Sequence, residues 1–254
     1  MTDGAGLRRF VKRPAGAAPG VPPGLPRSIQ QVLAARAAAR ADRDAGLADG
    51  AERCEMCREV LGERHGHVVD LEKRSLSCTC RACYLLFTRE GAAGGRYRAV
   101  PEHVYYDPGH PLTDGDWNEL QIPVAMAFFF YNSALHRVVA GYPSPGGATE
   151  CELDLAAWDR LAAVYPLLGT LAPDVEAVLV NRTDNEAFLI PVDECYSLVG
   201  ELRMKWQGFD GGAEARAALA TFLDGLRRRA VPLEGRRDGP GVTPGPREPR
   251  LEDH

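Results

Sequence analysis

The sequence predicts an α+β protein: a small treble-clef-like zinc module of knuckle, β-hairpin and short helix, then an α+β domain, with disordered Pro/Gly/Ala-rich tails. Three observations point there. Five of the seven cysteines lie between positions 54 and 83 and include two C-x-x-C pairs. Beyond Gly95, strand-like and helix-like apolar periods alternate. Both ends of the chain are dominated by small residues and proline.

A chain of 254 residues has room for one or two domains. Its charge is uneven. Residues 54–226 hold 14 Lys/Arg against 25 Asp/Glu, net −11, whereas both ends are net basic. Phosphate backbones attract proteins through Lys and Arg, so an acidic centre argues against nucleic acid as a partner. The longest apolar run, Ile122 to Phe130, is nine residues and contains Pro123, far short of the roughly 20 that a spanning helix needs. Leu7 to Arg13 is basic, but Pro, Gly and Ala follow rather than an apolar signal segment. A cytoplasmic protein with no membrane span is expected.

Taken in order, residues 1–27 have too little apolar area to offset their ordering entropy and are expected as a disordered tail. Ser28 can cap a helix from Ile29 to about Ala45, whose apolar stripe is thin, so residues 28–51 read as a helical linker. Residues 52–92 form the metal module and 95–231 the α+β domain. Gly95 to Tyr106 alternates aromatic and charged residues, as a strand does, until Asp107 to Pro111 breaks it. Ile122–Tyr131 and Ala134–Tyr142 are apolar runs joined at Asn132 and Ser133, a hairpin pattern. Asp154 can cap a helix through Trp158, Leu161, Ala162 and Tyr165. Val175–Val180 and Ala187–Pro191 read as strands with a turn at 182–185. Asp193 is expected to cap a helix that buries Tyr196, Val199, Leu202 and Trp206, and Gly211 and Gly212 separate it from a last helix through Leu219, Phe222, Leu223 and Leu226. Residues 232–254 repeat the tail composition.

The chemistry is concentrated in the cysteines. Cys54-Glu55-Met56-Cys57 and Cys80-Arg81-Ala82-Cys83 are separated by 22 residues, close to the spacing of paired zinc knuckles. In a reducing compartment such a cluster is a metal site rather than a disulfide framework. Zinc takes four ligands at tetrahedral corners, and two pairs supply them if the chain between folds back. That chain suits a hairpin: His67–Leu71 is an apolar strand, Glu72-Lys73-Arg74 a polar turn, and Ser75–Cys78 a return strand. Tyr84 to Phe87 can then form a short helix, the treble-clef order; as another strand they would make a zinc ribbon instead. Cys78, His65 and His67 are substitute ligands, because Cys78 stands two residues before Cys80 and imidazole also suits zinc. Four thiolates leave no position for an activated water, so the site reads as structural. One iron in the same ligand set would make a rubredoxin-like electron carrier, although Arg58 and Tyr84 follow the pairs where rubredoxin knuckles usually carry small residues. An iron–sulfur cluster is more remote.

The remaining candidates have plainer explanations. Cys54, Cys57, His67, Asp70, Cys80 and Cys83 superficially suggest an HNH-like nuclease, but Val68 and Val69 separate His67 from Asp70, and Tyr84-Leu85 follow the second pair. Asp107, His110, Asp114 and Asp116 could do acid/base work or hold a cation, yet interleaved Pro and Gly explain them as turn residues. Cys151 and Cys195 read as packed thiols, and His136 as an ordinary strand histidine. Three consecutive aromatics, Phe128 to Phe130, must place at least one on the opposite sheet face, which could meet a partner. The sequence contains no Walker loop, dinucleotide glycine fingerprint or serine nucleophile elbow, and no small-molecule substrate is indicated.

Arg53-Cys54-Glu55-Met56-Cys57, His65–Leu71, Leu76–Phe87 and Gly95–Arg98, with Ile190–Tyr196 and Trp206–Gly212 in the second domain, resemble an uncharacterised bacterial family of small metal-knuckle proteins encoded beside nickel–iron hydrogenase genes. The resemblance covers about residues 52–230. It implies an accessory role in the assembly, stability or electron supply of a hydrogenase, with a hydrogenase subunit or maturation factor as protein partner. It supplies no catalytic residue.

Overall fold

The computed structural model describes residues 51–208 and 211–236. The expected tail at 1–27, the helical linker at 28–51 apart from its last residue, and the part of the expected 232–254 tail beyond residue 236 lie outside the described residues. The start of that last tail is ordered instead, Pro232 pairing in a short strand and Leu233–Gly235 forming a 3-10 turn. The described residues from Glu52 form one compact unit, a mixed α+β fold with two sheets.

The smaller sheet contains β1 (Gly66–Asp70), β2 (Ser75–Thr79) and β3 (Tyr97–Ala99), in the antiparallel order β2-β1-β3. Its hairpin closes because Asp70 Oδ1 accepts the backbone N–H groups of Glu72 and Lys73, both at 3.1 Å, while Arg74 takes a left-handed φ of 53°. Helix α1 (Arg81–Leu85) follows at once and packs on β1. Gly66 makes that approach feasible: a Cβ there would lie 2.6 Å from the Tyr84 ring. Residues 84–89 are thus helix and turn, which selects the treble-clef order over the zinc ribbon.

The larger sheet is built from β4 (Tyr105–Tyr106), β5 (Met126–Asn132), β6 (Arg137–Ser144), β7 (Gly147–Cys151), β8 (Glu176–Asn181), β9 (Glu186–Pro191) and β10 (Val231–Pro232). Their order across it is β10-β4-β9-β8-β5-β6-β7. Neighbours pair antiparallel except β10 with β4. The hairpin read at Asn132-Ser133 is β5-β6, and the two strands read at 175–191 are β8-β9. The expected strand at 95–106 divides, with β3 joining the small sheet and β4 the large one, so the metal module extends past residue 92. Strand β7 was not anticipated.

Side chains alternate across the large sheet, and helices cover both faces. One face carries Phe129, whose ring meets Trp117 edge-on at 6.1 Å and Trp158 at 5.1 Å. Trp117 comes from α2 (Asp114–Glu119) and Trp158 from α3 (Leu155–Val164); the adjoining α4 (Pro166–Gly169) adds Leu167 and Leu168. Asp154 caps α3 as expected, accepting from the N–H groups of Ala156 and Ala157. The opposite face carries Phe128, Leu179 and Ile190 beneath α5 (Val192–Lys205) and α6 (Gly212–Arg229). Phe128 is therefore core, and the face expected to meet a partner is occupied by the protein's own helices.

Helix α5 differs from its reading in two respects. Its buried stripe is Val192, Cys195, Leu198 and Leu202, which shares Leu202 with the expected one but takes Cys195 and Leu198 in place of Tyr196 and Val199, and so leaves Tyr196 58% exposed. Asp193 is not its cap: it sits in the first turn, and its carboxylate is bonded to His67 instead. That contact helps join the two sheets. Val69 and Val100 of the small-sheet region share a core with Ala172, Val175 and Val192, and Arg98 donates to the Pro173 carbonyl at 3.0 Å. No described helix is long and apolar enough to cross a membrane.

Candidate metal centre

The first cysteine pair sits in a tight knuckle. Cys54 N–H donates to the Glu59 carbonyl at 2.7 Å, Arg58 N–H returns to the Cys54 carbonyl at 2.8 Å, and a bridge between Arg53 and Val60 closes the loop. Arg58 adopts a left-handed φ of 68° so that the chain can turn under the sulfurs. The second pair is placed by α1: Cys80 is its N-terminal flanking residue and Cys83 lies in its only full turn.

Glu55 latches the pairs together across the sequence. Its backbone N–H donates to the Cys78 carbonyl at 2.9 Å, and its carboxylate accepts the Cys78 N–H at 2.8 Å and the Ser77 hydroxyl at 3.3 Å. The knuckle is thereby fixed to β2, the strand that leads directly into Cys80. As a result one sulfur from each of Cys54, Cys57, Cys80 and Cys83 lies within 4.8 Å of the other three.

The geometry suits a tetrahedral ion. Four sulfurs at bonds of about 2.3 Å stand about 3.8 Å apart, and Cys57 Sγ and Cys80 Sγ are separated by 3.6 Å. Burial acts to raise the Cys54 thiol, but backbone N–H groups of Cys80, Cys57 and Met56 outweigh it and bring the thiol down to about 6. Burial drives Cys83 in the other direction, well above the ordinary thiol range. The four cysteines can hold one metal ion, with Cys54 and Cys83 buried and Cys57 exposed.

The substitute ligands do not join that set. His65, His67 and Cys78 form a separate cluster with their own donor atoms within 4.8 Å of one another. Burial, then the neighbouring Glu52 carboxylate, pushes the Cys78 thiol up to about 11. Asp70 points elsewhere: it is buried, and Arg96 bonds it at 2.7 Å and holds its carboxyl down to about 2. His67 and Asp70 therefore have different partners, contrary to a nuclease constellation. Sequence reasoning missed Asp193 and Glu55, whose partners lie 126 and 23 residues away.

The acidic cluster in the larger domain is divided by its hydrogen bonds. Asp107 accepts from Gly109 N–H at 3.0 Å and pairs with His110 at 2.9 Å, both beside a cavity of about 430 Å³ that Tyr165 and Arg182 also line. Asp114 pairs with Arg182. Asp116 forms a capping box with Thr113 and accepts the Tyr165 hydroxyl at 2.5 Å. Burial acts to raise the Asp116 carboxyl, but bonds from Thr113 and Tyr165 prevail and hold it below the usual range. A carboxyl depressed in the fold stabilises it above the ordinary value near 4, and that contribution fades as pH falls through the folded value. Denaturant midpoints followed by tryptophan fluorescence between pH 5 and 3 are expected to fall more steeply for the wild type than for Asp116→Asn. Equal slopes would contradict this assignment.

A mixed α+β fold whose knuckle, hairpin and helix gather four cysteine sulfurs at one point defines a treble-clef-like protein with a candidate four-cysteine metal site. Residues 53–230 match a family of unknown function, DUF5947, and the chain belongs to that family. No match is found among the curated proteins or the solved structures.

Proposed function

We propose that this protein is a non-catalytic zinc-binding adaptor of the cytoplasm, serving a nickel–iron hydrogenase as an assembly or maturation accessory. One observation carries the non-catalytic part: four cysteine sulfurs lie within 4.8 Å of one another. Four thiolates complete the coordination sphere of an ion, so no water is activated and the ion's work is to fold the module. Zinc is favoured over a rubredoxin-like iron because the second pair opens a helix, and because Arg58 and Tyr84 stand where rubredoxin knuckles usually carry small residues. The partner surface we assign includes Leu85 and Leu86, 52% and 67% exposed on the module's own helix and its end. The hydrogenase context rests on the resemblance of the cysteine-bearing segments to a family encoded beside such enzymes.

Affinity capture of the full chain from its native host, with mass spectrometry, tests this. Recovery of a hydrogenase subunit or maturation factor is expected; capture that enriches neither contradicts the context. Metal analysis of the reduced, purified chain separates zinc from iron. A colourless zinc protein fits the adaptor, and a red protein bleached by reductant identifies the electron carrier.

A further inference from the structure

We propose that His65, His67 and Cys78 form a second metal site, distinct from the four-cysteine centre, that takes a borderline divalent cation of the zinc class through two imidazoles and one thiolate. The hairpin builds it. His67 and Cys78 are directly opposed in the β1-β2 register, and His65, two residues before His67, falls on the same face. The two imidazole rings stand 4.8 Å apart at 63°, and one donor atom from each of the three residues lies within 4.8 Å of the others. Imidazole and thiolate together suit zinc and its neighbours among the divalent transition metals.

Each imidazole is held as a metal-binding histidine is held. His67 Nδ1 bonds to Asp193 Oδ2 at 2.6 Å, and His65 Nδ1 lies 3.1 Å from the Gly62 carbonyl. A carbonyl can only accept, so His65 carries its proton on Nδ1 and presents a lone pair at Nε2. Carboxylates and carbonyls that receive the remote N–H are the usual second partners of ligating histidines, since they fix tautomer and ring orientation. His65 Nε2 is buried and has no hydrogen-bond partner among the described residues. Ordinary packing explains the His67–Asp193 pair, but it leaves that buried acceptor empty on a residue clustered with a thiol. A cation accounts for both. Three protein ligands leave one tetrahedral position for water or an outside donor, which distinguishes this site from the closed one. Because Asp193 belongs to α5, the ion also bears on the contact between the two sheets.

The site is independent of the four-cysteine centre and is tested on the full chain, purified under reducing conditions and loaded with Zn²⁺ alone. Two equivalents are expected in the wild type, one of them readily removed by a chelator. His65→Ala and, separately, Cys78→Ser should each retain a single, chelator-resistant equivalent. Loading with Co²⁺ gives a second readout: both variants should lose the absorption of a mixed nitrogen–sulfur site and keep the thiolate charge-transfer bands of the four-sulfur site. One equivalent in the wild type that His65→Ala does not disturb, or two equivalents persisting in both variants, overturns the proposal. An equivalent lost in Cys57→Ser but kept in His65→Ala belongs to the four-cysteine centre, so the two readings fail separately.

Discussion

Serine in place of Cys80 is expected to release the ion from the four-cysteine centre and to unfold residues 53–100 as a unit. The segment has a small apolar core: besides the cysteines, Val68, Val69, Tyr84 and Val100 are buried, and Val69 and Val100, with Leu71 and Leu76 packed against them, share a cluster with Ala172, Val175 and Val192. Domains this small usually depend on a metal or disulfide, and structural zinc supplies an apparent 10–16 kcal/mol or so to modules of the kind. Losing one of four ligands forfeits much of that. Cys80 is also positioned twice over, by β2 before it and α1 after it, so no neighbour can move in without breaking the hairpin register. Hydrogen exchange is the measurement. Amides of β1, β2 and α1 should lose protection in Cys80→Ser while those of β5, β8 and β9 keep theirs. Retained protection throughout the small sheet would show that the fold does not depend on the ion.

The second large effect lies in the other core. Phe129→Ala should destabilise the larger domain by about 3–5 kcal/mol, the usual range for truncating a buried aromatic. Phe129 is fully buried between Trp117 and Trp158, and with it would go the contact that holds α2 and α3 to the same face of the sheet. Neither helix has reach enough to fill the void, because α2 is six residues long and pinned by its capping box. Urea midpoints followed by tryptophan fluorescence should fall accordingly, with metal content unchanged. A shift below 1 kcal/mol would mean that the aromatic cluster is not the anchor described here.

How much of this was legible beforehand depended on how local each signal is. The cysteine pairs, the hairpin between them, the Asp154 cap and the strands now seen as β8 and β9 each announce themselves within a few residues, through spacing, turn chemistry or apolar period. The short strands did not. Tyr97–Ala99 and Tyr105–Tyr106 are too brief to show a period, and one alternating run was split between two sheets around Pro101. On α5 the spacing of Tyr196, Val199 and Leu202 predicts one face, whereas Cys195, Leu198 and Leu202 form the buried one; Cys195 and Tyr196 are one residue apart, a rotation of about 100°. In the site, ligand identity was legible and its support was not. His65 and His67 are visible in the sequence as substitute zinc ligands, but nothing local to them reveals that Asp193 waits at the start of a helix in the other domain.

The central claim is that Cys54, Cys57, Cys80 and Cys83 enclose one ion, and alkylation of the reduced full chain, mapped by mass spectrometry before and after chelation, tests it most directly. Cys57 is exposed, so a small alkylating reagent can reach its sulfur, and coordination would shield it. The account predicts that these four cysteines resist modification together in the metal-loaded protein and become reactive together when one equivalent of zinc is withdrawn. Ready alkylation of Cys57 or Cys80 in the loaded protein, or a pattern that chelation leaves unchanged, would contradict it.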